Sequence, residues 1–339
     1  MSQPLISIII PMYKVADYVT RCIESLQHQD IDKNQYEIIC INDGSPDNCQ
    51  EIVENLQKKY SNIVLLNQEN QGVSMARNNG IAIAKGKYIL PIDPDDYVVP
   101  NCFKSLLNKA ISEDLDVLYA AFEIFDIDGK SVWRTNYSNL VSRVDDGYRG
   151  YFSVKGPNVR DPDRSWAIFY KLELLKNYQI DYPKDVPFLE DGLFLGKVFY
   201  VARRVGYSNV DFYQRTTRIG SATNSKLNLS LKAREGYLLA LDDIIKFKEK
   251  VSIEKNNVKV FNFIISQFVL LFLFNLIDNK DKSEYLKAIK HLQSKKICKF
   301  DFSGVTQAHK NYMYTFIFSP ILLFHLRRYI YHLNRILGL

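Results

Sequence analysis

Residues 5–10 read LISIII, a run that is apolar throughout and rich in β-branched side chains. This composition is typical of a strand buried on both faces of a parallel sheet. Similar short runs recur at residues 36–41, 63–66 and 88–92, and helical apolar patterns lie between them. The alternation predicts βαβ units and therefore an α/β fold, with an open, mainly parallel sheet flanked by helices.

Further along the chain the predicted elements are spaced less regularly. We predict strands at residues 116–125 and 205–213, and helices at residues 171–177 and 188–202. Residues 129–163 are polar and contain glycine, which predicts a long irregular loop.

Charge divides the chain into two regions. The net charge is +6, from 44 Lys and Arg against 38 Asp and Glu. Residues 1–225 hold 25 basic and 29 acidic residues, a balance of −4, whereas residues 226–339 hold 19 and 9, a balance of +10. We therefore predict a catalytic domain over residues 1–225 and a helical C-terminal region over residues 226–339. The basic surface of that region suits an anionic membrane better than nucleic acid.

The five cysteines form no CxxC pair and no zinc-ligand spacing, and their number is odd. This usage is typical of reduced thiols, so we predict a cytoplasmic location. The apolar run near the N-terminus is short and lacks a basic lead, so we expect no signal peptide there.

Polar groups follow three of the predicted strands. Pro11-Met12-Tyr13 comes after the first, Asp43-Gly44-Ser45 after the second and Asp93-Pro94-Asp95-Asp96 after the fourth. Because the carboxyl ends of parallel strands meet at one edge of a sheet, we expect these groups to line one ligand site. Ser45-Pro46-Asp47 also has the form of a helix N-cap with proline at the first helical position.

Asp93, Asp95 and Asp96 place three carboxylates within four residues. Such carboxylates repel one another unless a cation lies between them. Their hard oxygen ligands suit Mn²⁺ or Mg²⁺, and such an ion neutralises the charge that grows on a departing nucleoside diphosphate. The alternative is a solvated acidic turn or a helix cap. The position at the end of an apolar strand favours the metal site.

Three other residues at these strand ends suit a nucleotide. Asp43 has the chemistry to accept hydrogen bonds from a base or a ribose, although Asp-Gly is also an ordinary turn. Arg77 follows glycine in NQGVSMARNNG and has the reach to contact a base or diphosphate oxygen, or it is a surface arginine on a helix. Tyr13 has the shape to stack on a base, or it covers the strand end.

Glu190 and Asp191 lie near the start of a largely apolar predicted helix, in PFLEDGLFLGKVF. Carboxylates are favoured there by the helix dipole, and one of them has the chemistry of a general base for an acceptor hydroxyl. Ordinary first-turn acids are the alternative. Arg218-Ile219-Gly220-Ser221 predicts a flexible basic loop that closes over a diphosphate, or simply a basic loop.

Taken together, the motifs resemble glycosyltransferase family 2, whose members have the GT-A fold. The likeness runs from about residue 5 to about residue 223. Its six segments read ISIIIPMYKVADYVTRCIESLQHQ, INDGSPDN, NQGVSMARNNGIAIAKGKYILPIDPDDYV, SWAIFYKLEL, FLEDGLF and YQRTTRIGSAT. The resemblance implies a non-processive, inverting transfer from a nucleotide-sugar, with a Mn²⁺ or Mg²⁺ cofactor, onto a glycan or lipid-linked acceptor of surface polysaccharide biosynthesis. A UDP-sugar is the expected donor, with GDP and dTDP donors left open.

The resemblance also implies roles for individual residues. Asp191 would be the catalytic base, with Trp166 and Glu190 beside the acceptor. Asp95 would bind the metal, and Asp93 would lie near the ribose and the metal. The other donor-binding residues would be Pro11, Tyr13, Asp43 and Arg77 at the nucleoside, and Arg218 and Ser221 in the loop over the diphosphate.

Several departures and alternatives qualify this assignment. The chain lacks a Gln-x-x-Arg-Trp motif, since its two tryptophans are Trp133 and Trp166, and this argues against a processive synthase. No histidine lies near Gly220-Ser221 to add a metal ligand. GxGxxG and GxxxxGK[ST] motifs are also missing, which argues against a dehydrogenase or an NTPase. A non-catalytic sugar-nucleotide-binding or scaffold protein and a nucleotidyltransferase remain as alternative functions.

The C-terminal region contains two notable helical patterns. Residues 261–277 are strongly apolar but carry interspersed polar residues, which favours a buried or interfacial helix over a membrane span. Beyond Ser319-Pro320, the basic side chains of one helical stripe are His325, Arg328, His332 and Arg335. The apolar side chains of the other stripe are Leu322, Leu326, Tyr329, Ile330, Leu333 and Leu337. This basic amphipathic pattern predicts peripheral contact with the inner face of the cytoplasmic membrane, or packing on the catalytic domain or a second subunit.

Overall fold

The computed structural model of the chain describes residues 3–155, 161–186, 189–217, 230–251, 257–294 and 307–337. The chain divides into two compact units. The first unit consists of Met1–Asp185 and Glu190–Thr223, and the second of Val186–Leu189 and Asn224–Leu339.

A single mixed sheet forms the centre of the first unit. Its strands in chain order are β1 (Ile6–Met12), β2 (Tyr36–Asp43), β3 (Ile63–Gln68), β4 (Tyr88–Pro91), β5 (Tyr97–Val98), β6 (Val117–Phe125), β7 (Ser131–Arg134), β8 (Ile168–Lys171) and β9 (Val205–Thr216). Across the sheet the order is β3-β2-β1-β4-β8-β6-β9-β5, and β7 pairs with β6. The four strands from β3 to β4 are parallel, as are β6 and β9, whereas β8 runs antiparallel to both of its neighbours. This confirms the predicted α/β fold.

Helices cover the sheet on both faces. In chain order the helices of the first unit are α1 (Ala16–Gln27), α2 (Cys49–Lys59), α3 (Val73–Ile83), α4 (Phe103–Ser112), α5 (Gly147–Ser153), α6 (Leu172–Tyr178) and α7 (Glu190–Val201). Because side chains alternate along a strand, Ile8 and Ile10 of β1 join the core cluster that contains Val19 and Ile23 of α1. Ile9 points to the other face, where it packs against Gly80 of α3. Both faces of β1 are therefore buried, as its continuous apolar sequence predicts.

The predicted loop at residues 129–163 is wrong in part, because it contains β7 and α5. Strand β7 exists through its pairing with β6, where Trp133 lies opposite Ile124. Helix α5 begins after Asp146, whose side chain accepts a hydrogen bond from the Arg149 backbone N–H. Both elements are short and depend on partners, so neither has the periodic pattern that identifies longer elements.

The predicted N-cap of α2 at Ser45 is also wrong, because the helix begins at Cys49 with Asn48 as its N-cap. Ser45 and Asp47 instead bond the loop that follows β1. The Lys14 backbone N–H donates to Ser45 Oγ at 2.7 Å, and the Ala16 N–H donates to Asp47 Oδ2 at 2.8 Å. These bonds join the loops that follow β1 and β2, and so help to shape the carboxyl edge of the sheet.

The second unit is helical. Its helices are α8 (Leu231–Lys250), α9 (Val258–Asp278), α10 (Lys282–Ser294), α11 (Gln307–Phe318) and α12 (Pro320–Leu337). Within the part of the chain that the structure describes, α9 is the one helix that is long and apolar enough to cross a membrane, and 78% of its most apolar window is buried in the protein. An ion pair joins Arg327 of α12 to Asp278 at the end of α9, with an N···O distance of 2.7 Å.

Gly86 lies in the connection between α3 and β4, which packs closely on β1. A Cβ at this position would lie 2.5 Å from the Ser7 backbone N and 2.6 Å from the Ile6 carbonyl carbon. We expect Gly86→Ala to lower the free energy of unfolding by about 1–3 kcal/mol in urea titrations, because main-chain atoms of a central strand have no room to move. Gly192→Ala is the matched control, since its Cβ would meet nothing closer than 3.7 Å. Equal stability of Gly86→Ala and the wild type would contradict this packing.

Candidate active site

A cleft of about 820 Å³ lies at the carboxyl ends of β1, β2 and β4. The predicted site residues that line it are Pro11, Tyr13, Asp43, Arg77, Asp93, Asp95, Trp166, Glu190 and Asp191. The structure therefore brings together residues that lie up to 180 positions apart in the sequence. Arg218 and Ser221, predicted to cover a diphosphate, lie outside the described residues.

Arg77 connects the two acidic groups of the cleft. Its guanidinium is buried on α3 and lies over the ring of Tyr182, 5.1 Å from the centroid. Nη2 donates to Asp93 Oδ1 at 3.0 Å, and Nη1 donates to Asp191 Oδ1 at 3.1 Å and Glu190 Oε1 at 3.3 Å. One cation thus holds an acid from the end of β4 and two acids from the start of α7 around the same cleft.

Burial and charge act in opposite directions on the acids of α7. Burial raises the pKa of Asp191, while Arg77 lowers it and Asp93 raises it further, with a net shift above the ordinary value. Ser165 adds a hydrogen bond from its Oγ to Asp191 Oδ1 at 2.7 Å, and this bond favours the ionised form. Burial and the neighbouring Asp191 raise the pKa of Glu190 to about 7, against the lowering effect of Arg77. The pair therefore includes a carboxylate that is more basic than one in water.

The acids that follow β4 are arranged for a cation. Asp93, Asp95 and Asp96 each offer a carboxylate oxygen, and these oxygens lie within 4.8 Å of one another. Asp96 is committed to the protein, because it accepts hydrogen bonds from the Tyr213 hydroxyl at 2.7 Å and the Thr216 backbone N–H at 2.8 Å. These two bonds hold Asp96 in place beside Asp93 and Asp95.

The electrostatics of this group fit a divalent ion. Burial raises the pKa of Asp93, Arg77 opposes that shift and Asp95 adds to it. Burial, followed by repulsion from Asp93 and Asp95, also raises the pKa of Asp96. A cation that binds between these carboxylates would relieve their mutual repulsion. Their ligand atoms are carboxylate oxygens, the hard ligands that Mn²⁺ and Mg²⁺ prefer.

Asp43 organises the loop between β3 and α3. Its Oδ1 accepts a hydrogen bond from the Gln71 backbone N–H at 2.8 Å, and its Oδ2 accepts one from the Gly72 N–H at 2.9 Å. Gly72 has a φ of +86°, a conformation that favours glycine at this helix start. The carboxylate thus holds one wall of the cleft, while Tyr13 stands at its rim with 44% of its surface exposed.

The Trp166 side chain is mostly buried, so little of its ring is available to contact an acceptor. Its ring stacks on Tyr213 with centroids 4.8 Å apart and meets the edge of Phe122 at 5.0 Å. Only 7% of its surface is exposed, although it lines the cleft. Tyr213 in turn bonds Asp96, so the tryptophan belongs to the same packed wall as the acids that follow β4.

Some cleft residues escaped the sequence analysis. Ser165 bonds Asp191, Tyr182 lies under Arg77, and Asp163 lines the cleft. Ser165 lies in the segment SWAIFYKLEL, so the family resemblance was the signal that could have found it. Asp163 and Tyr182 lie in segments without any such signal.

The comparisons with known proteins agree with this geometry. A family model described as Glycosyl transferase family 2 matches residues 7–172 of the chain. The poly(ribitol-phosphate) beta-glucosyltransferase of Bacillus spizizenii is 29% identical over 243 residues, which cover 71% of this chain and 36% of that protein. The uncharacterized glycosyltransferase EpsJ of Bacillus subtilis is 34% identical over 203 residues, which cover 60% of this chain and 58% of that protein. The chain thus spans between a third and three fifths of the length of these relatives.

A solved structure shares the fold. The crystal structure of Staphylococcus aureus TarS, residues 1–349, in complex with UDP-GlcNAc superposes with a TM-score of 0.60 at 20% identity, and covers 86% of this chain and 92% of that chain. At this identity the likeness concerns the fold, a GT-A-like mixed sheet flanked by helices and followed by further helices. Residues 7–172 match glycosyltransferase family 2, and the curated relatives and the shared fold agree with that match.

Proposed function

We propose that the protein is an inverting glycosyltransferase that moves a sugar from a nucleotide-sugar donor onto a hydroxyl of a glycan or lipid-linked acceptor, in surface polysaccharide biosynthesis. The observation that carries the proposal is the cleft in which Arg77 bonds both Asp93, beside the candidate cation site, and Asp191, the candidate base. The names of the relatives support the class, since one is a beta-glucosyltransferase and TarS was solved with UDP-GlcNAc.

The donor would lie along the carboxyl edge of the sheet. Pro11 and Tyr13 follow β1 and would cover the base, and Asp43 shapes the wall at the end of β2. Asp93 would lie near the ribose. Both terminal nitrogens of Arg77 bond carboxylates, so its proposed contribution to donor binding is to position those acids. UDP is the proposed nucleotide, in line with the UDP-GlcNAc complex of TarS. Arg218 and Ser221 are proposed for the loop that covers the diphosphate.

Asp95, with Asp93, would hold the cation. The chemistry that Mn²⁺ or Mg²⁺ supplies at such a site is neutralisation of the negative charge that develops on the leaving diphosphate. Asp96 would support the cation site indirectly. Its hydrogen bonds to Tyr213 and Thr216 would fix the backbone that carries Asp93 and Asp95.

Asp191 would act as the general base of a single displacement. Its carboxylate takes the proton of the acceptor hydroxyl while the acceptor oxygen bonds the anomeric carbon of the sugar. The bond from that carbon to the diphosphate oxygen breaks at the same time, and its electron pair leaves with the nucleoside diphosphate. Because attack and departure occur on opposite faces of the carbon, the configuration inverts. Glu190 and Trp166 would lie on the acceptor side.

The C-terminal helices support a peripheral membrane location at the inner face of the cytoplasmic membrane. Helices α11 and α12 expose a series of large apolar side chains: Tyr314, Ile317, Phe318, Ile321, Leu322, Leu326 and Tyr329. Residues 307–337 contain four Lys or Arg and no acid, and one of the four, Arg327, is paired with Asp278. An apolar face beside basic side chains suits an anionic lipid surface. The predicted stripe beyond Ile330 lies outside the described side chains.

Donor and metal binding are testable by thermal shift. We expect a UDP-sugar with Mn²⁺ to raise the melting temperature, because a ligand at a hundred times its Kd stabilises the folded state by about 2.7 kcal/mol. Asp95→Asn should lose the Mn²⁺-dependent part of the shift while melting normally without ligand. Asp128→Asn, at an exposed aspartate, is the control. Stabilisation by a GDP- or dTDP-sugar alone would contradict the UDP assignment, and a full shift in Asp95→Asn would contradict the metal assignment.

Asp191→Asn tests the base. We expect its kcat to fall by a factor of about 10²–10⁴, the usual contribution of a general base, while the donor Kd stays close to that of the wild type. Asp114→Asn removes an aspartate that is also ion-paired but lies at the surface, and it should keep full activity. An active Asp191→Asn would refute the assigned role. If the wild type releases no nucleoside diphosphate with any acceptor, the protein is a binding or scaffold protein instead.

The pH profile provides the second arm of this test. The base works only when ionised, so kcat/KM should fall as the pH drops through the pKa of Asp191. Because burial raises this pKa, the midpoint of the acid limb should lie above the 3.8 of an ordinary aspartate. Glu190, whose pKa is raised to about 7, is mostly protonated on an acid limb below that pH, so Glu190→Gln should move the midpoint little. A wild-type limb at or below the ordinary value would contradict the proposed environment of the base.

The membrane proposal is testable with vesicles. Phe318 is 85% exposed, and we expect Phe318→Ser to weaken binding to phosphatidylglycerol vesicles about tenfold or more, since burying such a side chain contributes about 1.5–3 kcal/mol. Leu231→Ser, at a 69% exposed leucine of α8, is the matched control. Cosedimentation should be strong with anionic vesicles, weak with phosphatidylcholine and reduced by salt. No sedimentation of the wild type with anionic vesicles would contradict the proposal.

A further inference from the structure

The segment of residues 161–166, beside the cleft, is anchored from within by a buried arginine. Arg164 is 1% exposed, and its Nε donates to Asp161 Oδ1 at 2.8 Å. Its Nη2 donates to the Tyr137 hydroxyl at 3.0 Å, and its Nη1 donates to the Trp166 carbonyl oxygen. A buried charge has to be met by these specific partners, so the backbone of the segment is held in one arrangement.

Ser165 lies at the centre of this anchored segment and is completely buried. Its carbonyl oxygen accepts a hydrogen bond from the Tyr170 hydroxyl at 3.1 Å. The residue before it is fixed by the Asp161 ion pair, and the residue after it is fixed by stacking on Tyr213. The position of the Ser165 side chain is therefore set by the scaffold and not by the substrate.

The Ser165 hydroxyl bonds one particular oxygen of the candidate base. Oγ donates to Asp191 Oδ1 at 2.7 Å, and Arg77 Nη1 donates to the same oxygen at 3.1 Å. Neither of these two donors takes Oδ2. Two donors that converge on Oδ1 from different elements fix the rotation of the carboxylate about its side-chain bond.

We propose that Ser165 is a positioning residue for the transfer reaction: its hydroxyl holds Oδ1 of Asp191 so that Oδ2 is presented to the acceptor hydroxyl. This inference rests on the proposed role of Asp191 as the base. Ser165 is not among the residues that line the cleft, and it acts through the orientation of the carboxylate. The Asp161–Arg164 ion pair has the corresponding task of fixing Ser165. The residue therefore affects the rate of proton removal and leaves the affinity for the donor unchanged.

Steady-state kinetics of Ser165→Ala and Ser165→Cys, with UDP-sugar and Mn²⁺, test the inference. Cysteine keeps the size of the side chain but is a weak donor. We expect both variants to lower kcat about ten- to a hundredfold, the range for a hydrogen bond to a charged group, with the donor KM unchanged. Ser208→Ala is the matched control, because Ser208 is also buried but lies outside the cleft lining.

Each outcome decides the question. The proposal is overturned if Ser165→Ala keeps kcat within twofold of the wild type, if it changes only KM, or if Ser165→Cys has wild-type kcat, since size and not hydrogen bonding then matters. Should Ser165→Ala fail to fold, Ser165→Cys alone decides between the same results. Asp191→Asn is measured in parallel. An inactive Asp191→Asn beside a fully active Ser165→Ala refutes only this inference, whereas an active Asp191→Asn refutes the proposed function itself.

Discussion

The guanidinium of Arg77 is buried among three carboxylates from two distant parts of the chain. Asp93 follows β4, and Glu190 and Asp191 begin α7. A cation withdrawn from water requires opposite charge close by, so the end of the sheet and the start of α7 have to meet at this point. The separation between the candidate base and the candidate cation ligands follows from this single contact, and the proposed chemistry depends on it.

Arg77 also affects the pKa values of the acids around it. Burial raises the pKa of Asp93 and Asp191, and Arg77 counteracts that rise in both. Without the arginine, the acids would repel one another and take up protons. With the arginine alone, Asp191 would be a weak base. Burial and ion pairing act in opposite directions, and the net result is a carboxyl group whose pKa lies above the ordinary value, as a more basic group for proton removal requires.

The sequence predicted the elements whose own residues carry a clear pattern, such as a continuous apolar run. The apolar runs identified β1 to β4, and the strand ends identified Asp43 and Asp93 as neighbours. Strand β8 was not predicted. Its four residues pair antiparallel with β4 and β6, and the sequences of those two strands do not indicate that a third strand lies between them. The helix N-cap predicted at Ser45 failed for a similar reason, since its hydroxyl bonds a loop 31 residues away.

Buried polar pairs were the least predictable part of the site. The Asp161–Arg164 pair and the Ser165–Asp191 hydrogen bond have no periodicity, and an arginine in a polar stretch is read as exposed unless its partners are known. The residues at both ends of the cleft could be named from motifs, but the hydrogen bond from Ser165 to Asp191 could be found only from three-dimensional contacts.

Diffraction from crystals grown with Mn²⁺ and UDP tests the central claim most directly, because the anomalous signal locates the ion without assumptions about the protein. The account predicts an anomalous peak beside Asp95 and Asp93 inside the cleft, with Arg77 still bonded to Asp191 on the same cleft wall. A peak outside the cleft, or an Arg77 side chain turned away so that Asp191 and the ion no longer share the cleft, would contradict it.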